Sequence, residues 1–263
     1  MAIITLTTDL GYKDFYQAAL KGSILSTLPS VNIIDITHEI EAFNISKAAF
    51  LLKNCYHYFP KNTVHLIGID TVYSASNKYL AVKYRDHFFV GSDNGIFSLI
   101  FEETPQEVVE LNILQDLKFL HFPLADIFVK AACHLASGGS LKEIGVSTFE
   151  IEEKMNFHPV IEKDSIKGSV IFIDSFENVI TNITKDLFNK VQAGRNFELH
   201  FKRGESISQL SWHYDEVTEG DKLCLFGISD HLEIAINKGN ASGLLGLKAN
   251  DTILIEFSND KNP

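Results

Sequence analysis

The chain predicts an α/β N-terminal domain with a mainly parallel sheet, followed by an all-β C-terminal domain of barrel or sandwich type. Three observations carry this. Between Ile3 and Asp70, apolar runs of strand character alternate with segments of helical spacing, in the order β-α-β-α-β. Each of those strands ends close to a carboxylate: Asp9, Asp35 and Asp70. From Ile166 onward, short apolar runs recur at nearly regular spacing with turn residues between them.

The elements follow in order. The segment from Ile3 runs into Thr7, Thr8 and Asp9 and stops at Gly11, as a strand ending in a turn does. FYQAALKGSIL repeats apolar residues at helical spacing until Leu28-Pro29-Ser30 ends it. Val31 to Ile36 form a second strand with Thr37 and His38 at its end. Asn44 is placed to cap a helix, with Phe43 stapling against Ala48 and the helix continuing through AAFLLKNCYHYF to Pro60. TVHLIGID is the third strand. Right-handed crossovers then make the strands one parallel sheet.

A polar loop, TVYSASNK, leads to the hairpin YLAVKYRDHFFVG, which turns at Arg85-Asp86. Ser92-Asp93-Asn94-Gly95 is a turn, VVELN a further strand, and ADIFVKAACHLASGG an amphipathic helix closed by Gly138-Gly139. The domains are expected at 1–155 and 166–263, with 156–165 as linker and the glutamate-rich FEIEEKMNFHP at the join. KGSVIFID, FELHFKR, DKLCLFG, HLEIAIN and DTILIEF are the strands of the second domain.

With 263 residues, 45% hydrophobic and 22% charged, the chain can bury a full core. A net charge of −11 leaves no basic field to neutralise phosphates, which argues against nucleic acid as a partner. Cys55, Cys133 and Cys224 lie far apart in apolar surroundings and read as free thiols, favouring a reducing, cytoplasmic location. No apolar run approaches the ~20 residues that span a bilayer, so no membrane association is expected.

In an open α/β sheet, ligands bind beyond the carboxyl ends of the strands. Asp9, Asp70, the Ser92–Gly95 loop and the DSFENVITN stretch from Asp174 are therefore the candidate site. A strand-end carboxylate such as Asp9 can accept two hydroxyls of a diol, or cap the following helix. Phe43 and Tyr73 are placed to sandwich a flat base, or to serve as core. His57, His65 and His134 read as core or boundary residues, and His38 is of more interest because it follows a strand end. No phosphate-binding glycine loop, HExxH or GxSxG is present, and no histidine spacing marks a metal site.

The segments TLTTDLGYKDFYQAALKGSIL, DITHEIEAFNISKAAFLL, VGSDNGIFS, IDSFENVITNI and SDHLEIAINKGNASGLLGL resemble, in this order, the S-adenosyl-L-methionine hydroxide adenosyltransferase family, which is related to the fluorinases and chlorinases. The resemblance covers essentially the whole chain. It implies a homotrimer that binds S-adenosyl-L-methionine or adenosine between the N-terminal domain of one chain and the C-terminal domain of its neighbour, with no further cofactor. Hydrolytic members release adenosine and L-methionine by attack of water or hydroxide at ribose C5′.

Carried over by position, the resemblance makes Asp9 the ribose-diol carboxylate and Asp174 and Asn178 the groups on the methionine amino-acid end. Ser229, Glu233, Asn240 and Ala241 fall in the segment that meets the adenine and the methionine carboxylate, and Phe43 lies near the sugar; Tyr73 and Asn94 join the binding set from their loop positions alone. The departures fall on the chemistry. Hydrolytic members carry Asp, Arg and His around the attacking water, in a DPGVGxxR-like loop and an HGRD-like segment. Here Asp70 is kept, Asn77 stands where the Arg would be, and Pro123-Leu124-Ala125-Asp126 replaces the second segment. Asn carries no fixed charge and Pro no side-chain donor. Three readings follow: hydrolysis by a rewired site using Asp70 with His121 or His38, binding with little turnover, or another nucleophile such as halide.

Overall fold

The computed structural model describes residues 2–72, 77–155, 158–201 and 204–259, and divides into two units, Met1–Asn156 and Phe157–Pro263. In the first unit, β1 (Ile3–Thr8) leads through α1 (Tyr16–Thr27) to β2 (Asn32–Thr37), and α2 (Ile45–Lys53) leads to β3 (Val64–Gly68). β4 (Tyr79–Tyr84) and β5 (His87–Ser92) form a hairpin, followed by α3 (Ile96–Ile100), β6 (Glu107–Leu111), α4 (Ile127–Ala136) and β7 (Gly145–Ser147). The sheet order is β2-β1-β3-β5-β4-β6-β7.

This sheet is mixed rather than mainly parallel. Its β2-β1-β3-β5 half is parallel, whereas β5-β4, β4-β6 and β6-β7 pair antiparallel. The reason is local. Arg85 and Asp86 both take left-handed backbone (φ 46° and 63°), the two-residue turn whose twist matches an antiparallel hairpin. Once β4 runs backwards, β6 and then β7 add antiparallel on its outer side.

Helices cover both faces. Alternate strand residues point to opposite sides. Leu66, Ala81 and Val90 meet Leu20 and Ile24 of α1 and Phe128 and Ala132 of α4. Ile67, Leu80, Val82 and Phe89 meet Ala48 and Leu52 of α2 and Phe97 of α3. α3 was not legible in the sequence, being only one turn long after Gly95 (φ 92°).

α2 stops at Lys53, short of the expected Pro60, because the Asn54 side chain donates to the Phe50 carbonyl at 2.8 Å and a separate 3₁₀ turn, Tyr56–Tyr58, follows. Asn44 caps α2 as expected, its Oδ1 accepting from Lys47 N at 3.0 Å. Phe43 forms no staple: it is 67% exposed, with φ 65°. The glutamate-rich stretch is held to the first unit up to Lys154. Glu152 N donates to Asp93 Oδ1 and Lys154 N to Ser98 Oγ, binding that stretch to the first unit.

The second unit is antiparallel throughout its named strands. β8 (Val160–Ile161) pairs on β9 (Ser165–Ile173), which draws Val160, Ile161 and Ser165 of the expected linker into the sheet. β10 (Val179–Thr184), α5 (Lys185–Gln192), β11 (Asn196–His200), β12 (Ser206–Ile207), β13 (Lys222–Phe226), β14 (His231–Ile236), α6 (Ala241–Leu245) and β15 (Thr252–Ser258) complete it. The path β12-β11-β15-β9-β10-β14-β13 is nearly closed, since Leu210, just past β12, bridges to Cys224 of β13. Closure of this kind removes exposed edges and yields a barrel-like core, here around Phe188, Leu199, Ile234 and Ile255. Among the described residues no helix is long and apolar enough to cross a membrane.

His65 is fully buried in β3, with Nδ1 2.8 Å from Thr5 Oγ1 and Nε2 3.1 Å from Nδ1 of the buried His87. Burial, reinforced by His87, pushes its pKa down from 6.5 to about 3. The unfolded chain therefore takes up this proton first as pH falls. Stability from the neutral ring is complete above about 6.5 and is lost progressively toward 3, with a slope approaching ~1.4 kcal/mol per pH unit. The urea midpoint is expected to drop between pH 7 and pH 5, and His65→Asn to flatten that dependence. An unchanged slope in the variant would assign the acid sensitivity elsewhere.

Candidate functional site

The N-terminal unit gathers its candidate residues at the carboxyl end of the parallel strands. Asp9 follows β1, and its Oδ2 accepts the Phe43 N–H at 3.0 Å. Burial raises the Asp9 pKa above the usual carboxylate range. The N–H of Phe43 opposes the rise, and the neighbouring Asp70 charge adds to it. Asp70 follows β3 with φ 47°, left-handed backbone that is uncommon outside glycine. The two carboxylates thus stand beside each other, both partly accessible.

Gly68 explains how a third segment reaches this strand end. A Cβ there would lie 2.5 Å from Leu124 Cδ2, so glycine lets Leu124 of the Pro123–Ala125 turn pack directly on the strand backbone. Pro123 and Ala125 are buried in that turn, and Ser23 Oγ donates to the Ala125 carbonyl at 2.7 Å. Asp126 accepts from Asp116 N and pairs with Lys130, a structural use. His121 is exposed, and among the described residues nothing joins it to Asp70.

His38 is committed to the scaffold. It is fully buried, with Nδ1 2.6 Å from Thr8 Oγ1 and Nε2 3.2 Å from Asp35 Oδ1. Burial pushes its pKa below the ordinary value, only partly offset by Asp35, so the ring is a neutral strut between two strand ends. Asn94 is spent in the same way: Nδ2 donates to the Ile69 carbonyl at 3.0 Å, and Oδ1 accepts from Ile96 N at 3.2 Å. Tyr73 lies outside the described residues. The exposed Phe43 ring, next to Asp9, remains open to a ligand.

The C-terminal unit holds a second cluster. Asp174 begins the turn between β9 and β10: Oδ1 accepts from Phe176 N and Asn178 N, and Oδ2 from Asn178 Nδ2 at 3.1 Å. Glu233 is buried in β14, with Oε1 accepting from Tyr214 OH at 2.6 Å. Its other oxygen faces Gly227, where a Cβ would lie 2.7 Å away. Burial raises the Glu233 pKa, the Tyr214 hydroxyl lowers it, and the Asp174 charge raises it. Ser229 occupies the β13–β14 turn, its carbonyl 2.7 Å from His231 Nδ1. Asn240 caps α6 by accepting from Gly243 N, and Ala241 is fully buried. These last are turn and cap roles.

Sequence reasoning missed Tyr214, which pairs with Glu233 across 19 residues of chain with no spacing signal to announce it. It also missed the exposed Phe176 and Trp212, which flank Asp174 and Tyr214 in the chain and offer aromatic faces to a ligand. Among the described residues no group of His, Cys, Asp and Glu could hold a metal ion.

Comparison with known proteins bears on the whole chain. The family model described as the SAM hydroxide adenosyltransferase N-terminal domain matches residues 4–145, and the C-terminal domain model of the same description matches residues 168–254. An (R)-S-adenosyl-L-methionine hydrolase of Methanocaldococcus jannaschii is 31% identical, over 97% of this chain and 96% of its own. A protein of the same name from Thermus thermophilus is 26% identical over 94% and 97%, and more distant relatives at 22% are named fluorinase. The crystal structure of an uncharacterized conserved protein from Thermotoga maritima superposes with a TM-score of 0.85 at 32% identity, covering 96% of this chain and 99% of that one.

Removing the hydroxyl with Tyr214→Phe takes away the one bond that favours ionised Glu233. The Glu233 titration, followed by carbon NMR of labelled glutamate, is expected to move to higher pH in the variant. An unmoved titration would show that the Tyr214 bond does not tune this acid.

Proposed function

The chain belongs to the S-adenosyl-L-methionine hydroxide adenosyltransferase family, and from that membership we propose that it hydrolyses S-adenosyl-L-methionine to adenosine and L-methionine. The observation that carries the proposal is the match of both domain models together with a named hydrolase 31% identical over 97% of the chain. In the reaction a water oxygen bonds to ribose C5′ as the C5′–S bond breaks. The electron pair leaves on sulfur, which becomes the neutral thioether of methionine. A sulfonium is already an activated leaving group, so the protein mainly has to align the reactants, exclude bulk water and take one proton.

The residues divide that work as follows. Asp9, fixed by the Phe43 N–H, receives the ribose hydroxyls, and the Phe43 ring covers the sugar. Asp70, beside it, receives the proton that the attacking water loses. Asp174 and Asn178 with Glu233 form the acidic end that takes the methionine ammonium, and Ser229, Asn240 and Ala241 shape the backbone around it. The ligand lies between the N-terminal domain of one chain and the C-terminal domain of its neighbour in a homotrimer. No additional cofactor enters the scheme, and the net charge of −11 favours approach of a cationic substrate.

One observation favours a second reading, a binder with little turnover. Asn77, in the position of the family Arg, turns its amide onto backbone carbonyls, and Pro123 in place of the His is buried. The two readings separate in one assay. Purified protein is expected to release adenosine and methionine in equal amounts from S-adenosyl-L-methionine, independently of chloride or fluoride, with Asp70→Asn losing at least ~100-fold of the rate. Saturable binding of intact substrate without adenosine release would establish the binder, and turnover that requires halide would sink hydrolysis. Sedimentation at the mass of three chains is expected, and a monomer would remove the interface site.

A further inference from the structure

The loop that carries Asp70 is held in an unusual way. Four consecutive carbonyls, from Ile69 to Val72, each accept from a side chain of the following hairpin region. Asn94 Nδ2 donates to Ile69 O at 3.0 Å, and Tyr79 OH to Thr71 O at 2.8 Å. Asn77 Nδ2 spans two of them, Asp70 O at 3.2 Å and Val72 O at 2.7 Å. The amide acceptor of Asn77 gains nothing from this arrangement: its Oδ1 is buried and has no hydrogen-bond partner among the described residues. Asp70 itself sits at φ 47°.

A strained backbone residue and an unsatisfied buried acceptor in one short loop are both unfavourable for folding. A loop selected only for stability would shed them. They persist where the surrounding structure over-determines the geometry. Here three side chains anchored on the hairpin and its following turn supply that determination. Tyr79 is buried at 4% exposure and leads β4, whereas Asn94 is fixed at its other end by Ile96 N. The Asp70 backbone N–H supports the Asp9 carboxylate while the Asp70 charge opposes it, so the placement of the Asp70 side chain depends on how its backbone is held.

We propose that Asn77, Tyr79 and Asn94 are positioning residues that clamp the 69–72 backbone and hold the Asp70 carboxylate at the reacting end of the substrate. Asn77 thereby does by backbone restraint a task for which it lacks the charge to act directly. The proposal rests on the hydrolysis reading above. None of the three touches substrate; each acts through Asp70.

The test is steady-state kinetics of adenosine release with full-length protein, alongside calorimetric titration with adenosine and thermal melting. Asn77→Ala removes two donor bonds and the orphaned acceptor together, so its melting midpoint is expected to stay within a few degrees of the parent, whereas kcat falls about tenfold or more from lost alignment. KM and adenosine affinity are expected to change by no more than about twofold, since the Asp9 contacts are intact. Tyr79→Phe, which deletes only the hydroxyl, is expected to lower kcat in the same sense by a smaller factor, and Asn77→Gln, which retains an amide donor, to recover part of the loss. Unchanged kcat in both Asn77→Ala and Tyr79→Phe, with wild-type turnover present, would overturn the clamp and leave the function standing. Parallel loss of kcat, affinity and melting midpoint would make the three residues merely structural. Absence of turnover in the parent protein would overturn the hydrolysis reading and the clamp's catalytic purpose with it.

Discussion

The bond from the Phe43 N–H to the Asp9 carboxylate organises the N-terminal unit's functional end. β1 lies between β2 and β3, so a side chain at its carboxyl end can reach the loops that leave both neighbours. Asp9 does so. It fixes the loop after β2 at Phe43, which takes left-handed backbone, and stands against the loop after β3 at Asp70, which does the same. Burial disfavours the Asp9 charge, and backbone N–H groups return part of that cost. The carboxylate is thus kept half-buried and oriented.

The surrounding groups fill different roles from those their chemistry first advertises. His38 looks like a general base at a strand end, yet it is buried, neutral and locked between Thr8 and Asp35. Asn94 is consumed by backbone groups, and Asp126 by the Asp116 N–H and the Lys130 ammonium. The same economy governs the C-terminal unit, where Asp174 satisfies its own turn and Asn240 its own helix. Among the described residues, the Asp70 carboxylate, the outward Phe43 ring and the Glu233 oxygen beside Gly227 carry no such structural bond. A buried acid is favourable only if one partner offsets its desolvation, and Tyr214 is that partner for Glu233.

The two segments beside the strand-end carboxylates also gain a physical meaning. Pro123, with its fixed φ, opens the buried 3₁₀ turn whose Leu124 packs over Gly68. Asn77 presents an amide that, among the described residues, reaches only backbone carbonyls.

The order of strands and helices, the Asn44 cap, the Arg85-Asp86 turn, the change to an antiparallel domain and the candidate carboxylates Asp9 and Asp70 were legible in the sequence. Each depends on hydrophobic period, turn chemistry or a short motif, all of which are local along the chain. The mixed character of the sheet, the end of α2 at Lys53 and the α3 turn were not, because they depend on which neighbours the strands and side chains meet. The pairing of Tyr214 with Glu233, the locking of His38 and the grip of Asn77, Tyr79 and Asn94 on the Asp70 loop were decided only by tertiary structure. Residue type states what a side chain can donate or accept. Only folding, by bringing distant backbone and side-chain groups within hydrogen-bond reach and excluding water from them, decides which of those capacities is left for a ligand.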